Sequence, residues 1–285
     1  YGTRDAAKHC EYKYSDFMEE LSFERGLACP CVFYYKKRQL RIVVHGDDFT
    51  VAGRESDLDW FRVCISKEMD VKFRARLGPN IKDDKSVRIL NRVVEWTSEG
   101  LRYEADQRHA EIITRDAGLK EGSKSVSTPG IKAKEGKDGE SCFSESMFRS
   151  IAARGNYLAQ DRADIQFAMK EICRSMANPS VEDWPAVKRV SRYLSGSPRM
   201  VLKFGNQKLP DKIIIWTDSD YAGCAKTRTS TSGGCIMFGN HCIKTWSSTQ
   251  DVVALLSGEA EYYAMVKAIS QGIGVRNLLS DMGIK

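Results

Sequence analysis

The chain has 285 residues, room for one large domain or two ordinary ones, and its 42% hydrophobic and 29% charged content is that of a soluble globular protein with a sizeable core. No run of eighteen apolar residues is present, which excludes a membrane-spanning helix. The opening YGTRDAAKHC holds neither an apolar signal region nor an initiator Met, so the chain reads as a piece of something longer, and its net charge of +6 permits a phosphate-backbone partner without requiring one.

Residues 5–25 carry Tyr14, Phe17 and Leu21 at helical spacing, with Gly26 as the stop. Two strands follow, CVFYYK and QLRIVVH, joined by the solvated tip Lys36-Lys37-Arg38. In VHGDDF, residues 44–49, β-branched residues flank a Gly-Asp step, the pattern of a hairpin with carboxylates at its tip. Gly46-Asp47 alone needs no more than a turn. The second acid, Asp48, adds charge repulsion that a turn does not need, and magnesium is the usual reason to keep two carboxylates together. A strand DFTVAG and a helix over 56–69 come next, with Ser56 and Asp59 spaced as a capping box and Leu58, Phe61 and Ile65 inward.

DVKFRAR, residues 70–76, alternates Val71, Phe73 and Ala75 with Lys72, Arg74 and Arg76, the pattern of a half-buried strand with a basic wet face. SVRILNRVVEWTSEGLRYEA reads as a strand pair turning at Ser98-Glu99-Gly100, and DQRHAEIITRDAGL as a helix closed by Gly118. From Lys120 to Glu145 Gly, Ser and Lys displace apolar residues, which marks a linker. FRSIAARGNYLAQ and ADIQFAMKEICRSM are amphipathic helices, and Ser180 with Asp183 starts a third carrying Trp184, Val187, Tyr193 and Leu194 near one stripe. MVLKF, KIIIWTD, GGCIMFG and HCIKTWS form four strands in series. A helix from Gly258 to about Met282 closes the chain, its Tyr262, Val266, Ile269 and Ile273 at 3.6 spacing.

Nine scattered cysteines, odd in number and without CxxC pairs, fit reduced thiols in a cytosolic or nuclear setting. Cys29-Pro30-Cys31 is too tight for a zinc knuckle, and the four histidines lack ligand spacing. A second acidic set lies late in the chain. Asp218 and Asp220 end an apolar strand, and Glu259 and Glu261 open the last helix. First-turn carboxylates ordinarily serve the helix dipole. A strand-end aspartate beside a helix-start glutamate is also how ribonuclease H-like folds collect two metal ions.

Several stretches together resemble Ty1/copia-type retrotransposon Pol polyproteins. YGTRDAAKHCEYKYSDFM is similar to the family's YGLKQAPR-W segment and VHGDDF to its YVDD corner. The likeness continues in family order through Thr128-Pro129, FRSIAARGNYLAQDRADIQFA, the NPS-W-A-KR-RYL segment, TDSDYAGCAKTRTSTSGG and WSSTQDVVALLSGEAEYYA. It implies an α+β chain in four parts: a partial polymerase palm and start of the thumb over 1–119, a linker over 120–145, a helical thumb or connection over 146–199, and a C-terminally incomplete ribonuclease H-like domain over 200–285.

The resemblance assigns Asp47 and Asp48 to the polymerase metal site, and Asp218 and Glu261 to the ribonuclease H site, with Mg2+ as cofactor at two-metal sites that are incomplete in this stretch. The family's first palm aspartate belongs before Tyr1, and its later ribonuclease H aspartates beyond Lys285. Gly2 falls in the segment that family members place beneath the templating base pair. Lys72, Arg74 and Arg76 would contact phosphates of an RNA–DNA hybrid or primer-template, with deoxynucleoside triphosphates as substrates and no membrane partner. The setting implied is cytoplasmic and particle-associated, or nuclear. His45-Gly46 stands where the family has Tyr-Val, Ala6-Ala7 where it has Ala-Pro, and Ala163 where it has the proline of RPDI. The rival expectation is a degenerate element that binds nucleic acid and catalyses nothing. A third is an unrelated phosphohydrolase using Asp218 alone.

Overall fold

The computed structural model describes residues 5–120, 122–130, 144–224 and 226–284. These form a mixed α+β structure of seven α-helices and eleven strands, every strand pair antiparallel. Gly2 and residues 131–143 of the expected linker lie outside the described residues. The chain divides into two compact units, residues 1–74 with 269–285, and residues 75–268. Among the described residues no helix is long and apolar enough to cross a membrane.

The first unit begins with α1 (Ala6–Glu20), which buries Tyr14, Phe17 and Met18. The helix ends well before Gly26: Ser22 turns the chain at φ 68° and Phe23 drops into the core. Strands β1 (Glu24–Arg25), β2 (Val32–Tyr35), β3 (Leu40–His45) and β4 (Asp48–Ala52) make one sheet in that order. Leu40, Ile42 and Val44 alternate inward along β3, as a sheet covered on one face requires. Helix α2 (Glu55–Glu68) adds Phe61 and Ile65 to the same core. The expected capping box fails here. Arg54 occupies the N-cap and makes no side-chain cap bond, so Ser56 already lies inside the helix.

Residues 70–76 are not a strand, contrary to the alternation in the sequence. Alternation supplies faces but no hydrogen-bond partner, and no strand pairs with this segment. Phe73 stays exposed, with the Arg62 guanidinium 4.0 Å from its ring centre.

The second unit holds two sheets and a helical core. One sheet runs β5 (Ser86–Ile89), β6 (Arg92–Thr97), β7 (Gly100–Ala105) and β8 (Val201–Gly205). Two hairpins therefore stand where one strand pair was expected. β8 joins β7, with Leu101 opposite Phe204, rather than the strands that follow it in sequence. The other sheet has the order β11 (His241–Thr249), β10 (Thr231–Phe238), β9 (Ile213–Asp220).

Helices α3 (Arg108–Asp116), α4 (Glu145–Ala159), α5 (Gln166–Cys173) and α6 (Trp184–Gly196) pack around Phe148, Ile151, Ile165, Met169, Val187 and Leu194. Ser180 and Asp183 form the expected capping box ahead of α6. Asp161 ties helices to sheet, accepting from Arg92 Nε at 2.9 Å and from the Tyr103 hydroxyl at 2.6 Å. Helix α7 (Ser257–Asp281) inverts its expected face. Ala260, Ala264 and Ala268 are buried, while Tyr262, Val266, Ile269 and Ile273 are exposed. Small side chains let the helix lie close to β9, where the Thr217 hydroxyl reaches the Ala264 carbonyl.

Candidate functional site

The β3–β4 hairpin pairs His45 with Asp48, leaving Gly46 and Asp47 as a two-residue loop. Gly46 has φ 63°, the first central position of a type II′ turn, which glycine adopts at little steric cost. Gly46-Asp47 is therefore the turn, and Asp48 is the first residue of the returning strand. Val44 and Phe49 pair across the hairpin, and Phe49 meets Tyr14 of α1 edge-on at 5.8 Å between ring centres. That inner packing fixes the tip. Asp47 is exposed there, and Asp48 is half-buried with its Oδ1 3.0 Å from Arg74 Nη2.

The corner suits magnesium in kind. Both acids offer hard oxygens, and Mg2+ is commonly held by one or two carboxylates plus substrate phosphates. It is short in number. Among the described residues no three His, Cys, Asp or Glu side chains are grouped to hold a metal ion.

The second acidic set is arranged differently. Along β9 residues 214, 216 and 218 are exposed while 213, 215, 217 and 219 are partly buried. Thr217 and Ser219 face α7, and the Ser219 hydroxyl donates to Glu261 Oε1 at 3.0 Å. Asp218 alternates onto the other face, with Ile214 and Trp216. The side chain that Glu261 meets on β9 is thus Ser219. Asp220 accepts from the Thr231 backbone N–H. Glu259 accepts from Leu255 N at 2.7 Å and from the Tyr263 hydroxyl at 3.1 Å, which makes it a helix-start cap. That hydrogen bond and the Glu259 charge raise the Tyr263 pKa.

Of the three basic positions, Lys72 and Arg74 are exposed and Arg76 is partly buried. Because the segment is irregular, they share no strand face. Arg74 reaches the acidic corner through Asp48.

Sequence reasoning missed two charged arrangements. Arg162 is 2% exposed, donates through Nε and Nη2 to both oxygens of Asp164, and also binds the Ser197 and Pro198 carbonyls. Burial alone would push the Asp164 pKa up, but the Arg162 bonds and charge, with the Tyr193 hydroxyl, hold it below the usual carboxylate range. Arg-x-Asp inside DRADI was the available signal. The second is Cys224, whose Sγ lies 2.9 Å from Arg174 Nη2. Burial raises its pKa, but bonds from Thr227, the Lys226 backbone and Arg174 outweigh that and bring it down to about 7. Nothing in the local sequence announces Arg174, fifty positions away.

No family model matches the chain. Along its whole length, however, it is 27% identical to the retrovirus-related Pol polyprotein from transposon TNT 1-94 of Nicotiana tabacum. Its curated relatives include retrovirus-related Pol polyproteins from Ty1/copia-type transposons. The retrovirus-related Pol polyprotein from transposon RE2 of Arabidopsis thaliana is 34% identical over 48% of the chain. An uncharacterised mitochondrial protein of the same plant is 35% identical over 55% of the chain. The matches span 22% of the tobacco polyprotein, 9% of the RE2 polyprotein and 65% of the mitochondrial protein. The chain thus spans only a fraction of the length of the polyproteins it matches.

Proposed function

We propose that this chain is part of a copia-type RNA-directed DNA polymerase with a tethered ribonuclease H-like region, acting on RNA–DNA hybrid and primer-template. What carries the reading is the match to a Pol polyprotein along the entire chain, combined with adjacent aspartates at the tip of a β-hairpin. Residues 1–119 would be the palm and start of the thumb, 146–199 the helical thumb or connection after a linker over 120–145, and 200–285 the ribonuclease H-like part.

Asp47 and Asp48 would hold Mg2+, which supplies charge neutralisation at a transferring phosphate. Asp47 presents its carboxylate at the open tip, and Asp48 gives up its ion pair with Arg74 to do the same. Lys72, Arg74 and Arg76 contact backbone phosphates without reading bases, and the hybrid is selected by its A-like shape. Asp218 and Glu261, one on the exposed face of β9 and the other bonded to Ser219, do not fit a shared ion as they stand.

The test has a binding arm and a catalytic arm. The chain should bind hybrids of unrelated sequence with similar, salt-sensitive affinity, and Arg74→Ala with Arg76→Ala should flatten the salt slope by about one to two. The chain alone should neither extend a primer nor cut hybrid RNA. Placed in a longer frame like that of its relatives, it should extend primers, and Asp47→Asn should abolish the extension. Absence of hybrid binding, or Asp47→Asn leaving extension intact, would end this reading.

A further inference from the structure

The loop after β1 turns three successive backbone N–H groups onto one carboxylate. Leu27 N lies 3.0 Å from Asp281 Oδ1, and Ala28 N and Cys29 N lie 3.0 and 2.8 Å from Asp281 Oδ2. All belong to the first unit. Consecutive amides converging on a point form a concavity of partial positive charge, the kind that takes phosphate and other oxyanions. The loop is shaped to its occupant: a Cβ on Gly26 would come within 2.7 Å of Asp281 Oδ2.

Asp281 gains nothing from its own helix. It is the last residue of α7, at the negative end of the macrodipole, where a carboxylate is disfavoured. Its charge is balanced by the loop. The residues just after it are seated too, with Arg41 Nε donating to the Met282 carbonyl at 2.7 Å and Gly283, at φ 74°, lying against the Tyr34 ring. The nest is not sealed, since Leu27 is 97% exposed and Ala28 is exposed.

We propose that residues 27–29 are an oxyanion-binding nest for a phosphate group, and that Asp281 is its built-in, displaceable occupant. Tethered through the chain, Asp281 competes as an internal ligand at high effective concentration, so phosphate enters only when residues 281–283 lift away. The nest stands on its own geometry and does not depend on the polymerase reading. Two sources share the chemistry, free phosphate and the phosphates of nucleic acid.

Amide shifts of Leu27, Ala28 and Cys29 in the full chain read the site directly, with Asp281→Ala vacating the nest. Inorganic phosphate at constant ionic strength is one probe, and a short single-stranded oligonucleotide is the other. In Asp281→Ala these three amides should shift saturably, with apparent affinity at least about tenfold tighter than in the wild type, because the internal competitor is gone. A tighter response to the oligonucleotide than to inorganic phosphate would assign the nest to nucleic acid, and an equal response to free phosphate. Should Asp281→Ala fail to fold, Asp281→Asn keeps the shape while removing the charge, and the same tightening is expected. Amides 27–29 that ignore both probes in a folded variant, or that respond equally in wild type and variant, would overturn the proposal.

Discussion

The two acidic regions use the same residue types to opposite effect. At the β3–β4 corner, a hairpin register places Asp47 and Asp48 side by side at an open tip, and an exposed arginine is the partner of only one. At the start of α7, Glu259, Glu261 and Asp220 are each engaged by neighbouring donors, and Asp218 points to the other face of its strand. Carboxylates that cap helices and close strands are occupied. Carboxylates crowded at a turn with a weak, screened counter-ion remain available to a cation. The difference lies in backbone register, not in composition.

The largest expected effect tests whether the second unit depends on a different charged pair altogether. Arg162→Met should cost about 3–5 kcal/mol in urea unfolding, because it takes the paired charge from Asp164, leaving the Tyr193 hydroxyl, and removes the donor from two carbonyls. Because the folded Asp164 pKa is lowered, its contribution is present above the unfolded value, about 4, and is lost as pH falls through the lower folded value. A pH-stability profile of the wild type should fall on that acid side, and Asp164→Asn should flatten the fall.

Next comes the corner's backbone. Gly46→Val should destabilise by about 1–2 kcal/mol, since a β-branched residue must adopt positive φ there. Beyond Gly46 and its chain neighbours no atom lies within 4 Å of where a Cβ would sit, so the loss seen in thermal unfolding is conformational. A neutral result would mean that the turn can relax to another type, and the register argument would weaken.

Smaller still, Ser219→Ala should cost about 1 kcal/mol or less by removing the hydrogen bond to Glu261. Smallest is Asp48→Asn, whose lost pair with exposed Arg74 should change stability by under about 1 kcal/mol. If Asp48→Asn proved the costlier of the two in denaturant titrations, the corner would be a structural salt bridge, and the contrast between the regions would collapse.

Much of this was legible locally. The hairpin at VHGDDF, the Ser180–Asp183 box and the four late strands follow from turn chemistry, capping and alternation. What failed required distant partners. Residues 70–76 alternate as a strand should, yet among the described residues no strand pairs with them. β8 reads as the first strand of a series but finds β7 instead, a pairing that no local pattern encodes. The large apolar stripe on α7 has helical spacing but stays exposed, because the close approach to β9 selects the alanines. The acids themselves could be named from motif resemblance. Which of them face one another depends on strand parity, and a one-residue shift in that parity exchanges Ser219 for Asp218.

Manganese-induced broadening of backbone amide signals tests the contrast between the two regions most directly, with Mn2+ standing in for Mg2+ at substoichiometric amounts in the full chain. The amides of Gly46, Asp47 and Asp48 should broaden first, and Asp47→Asn should suppress that broadening, while Asp218, Ser219 and Glu261 stay sharp. Broadening that begins at Asp218 and Glu261, or that reaches both regions equally, would contradict it.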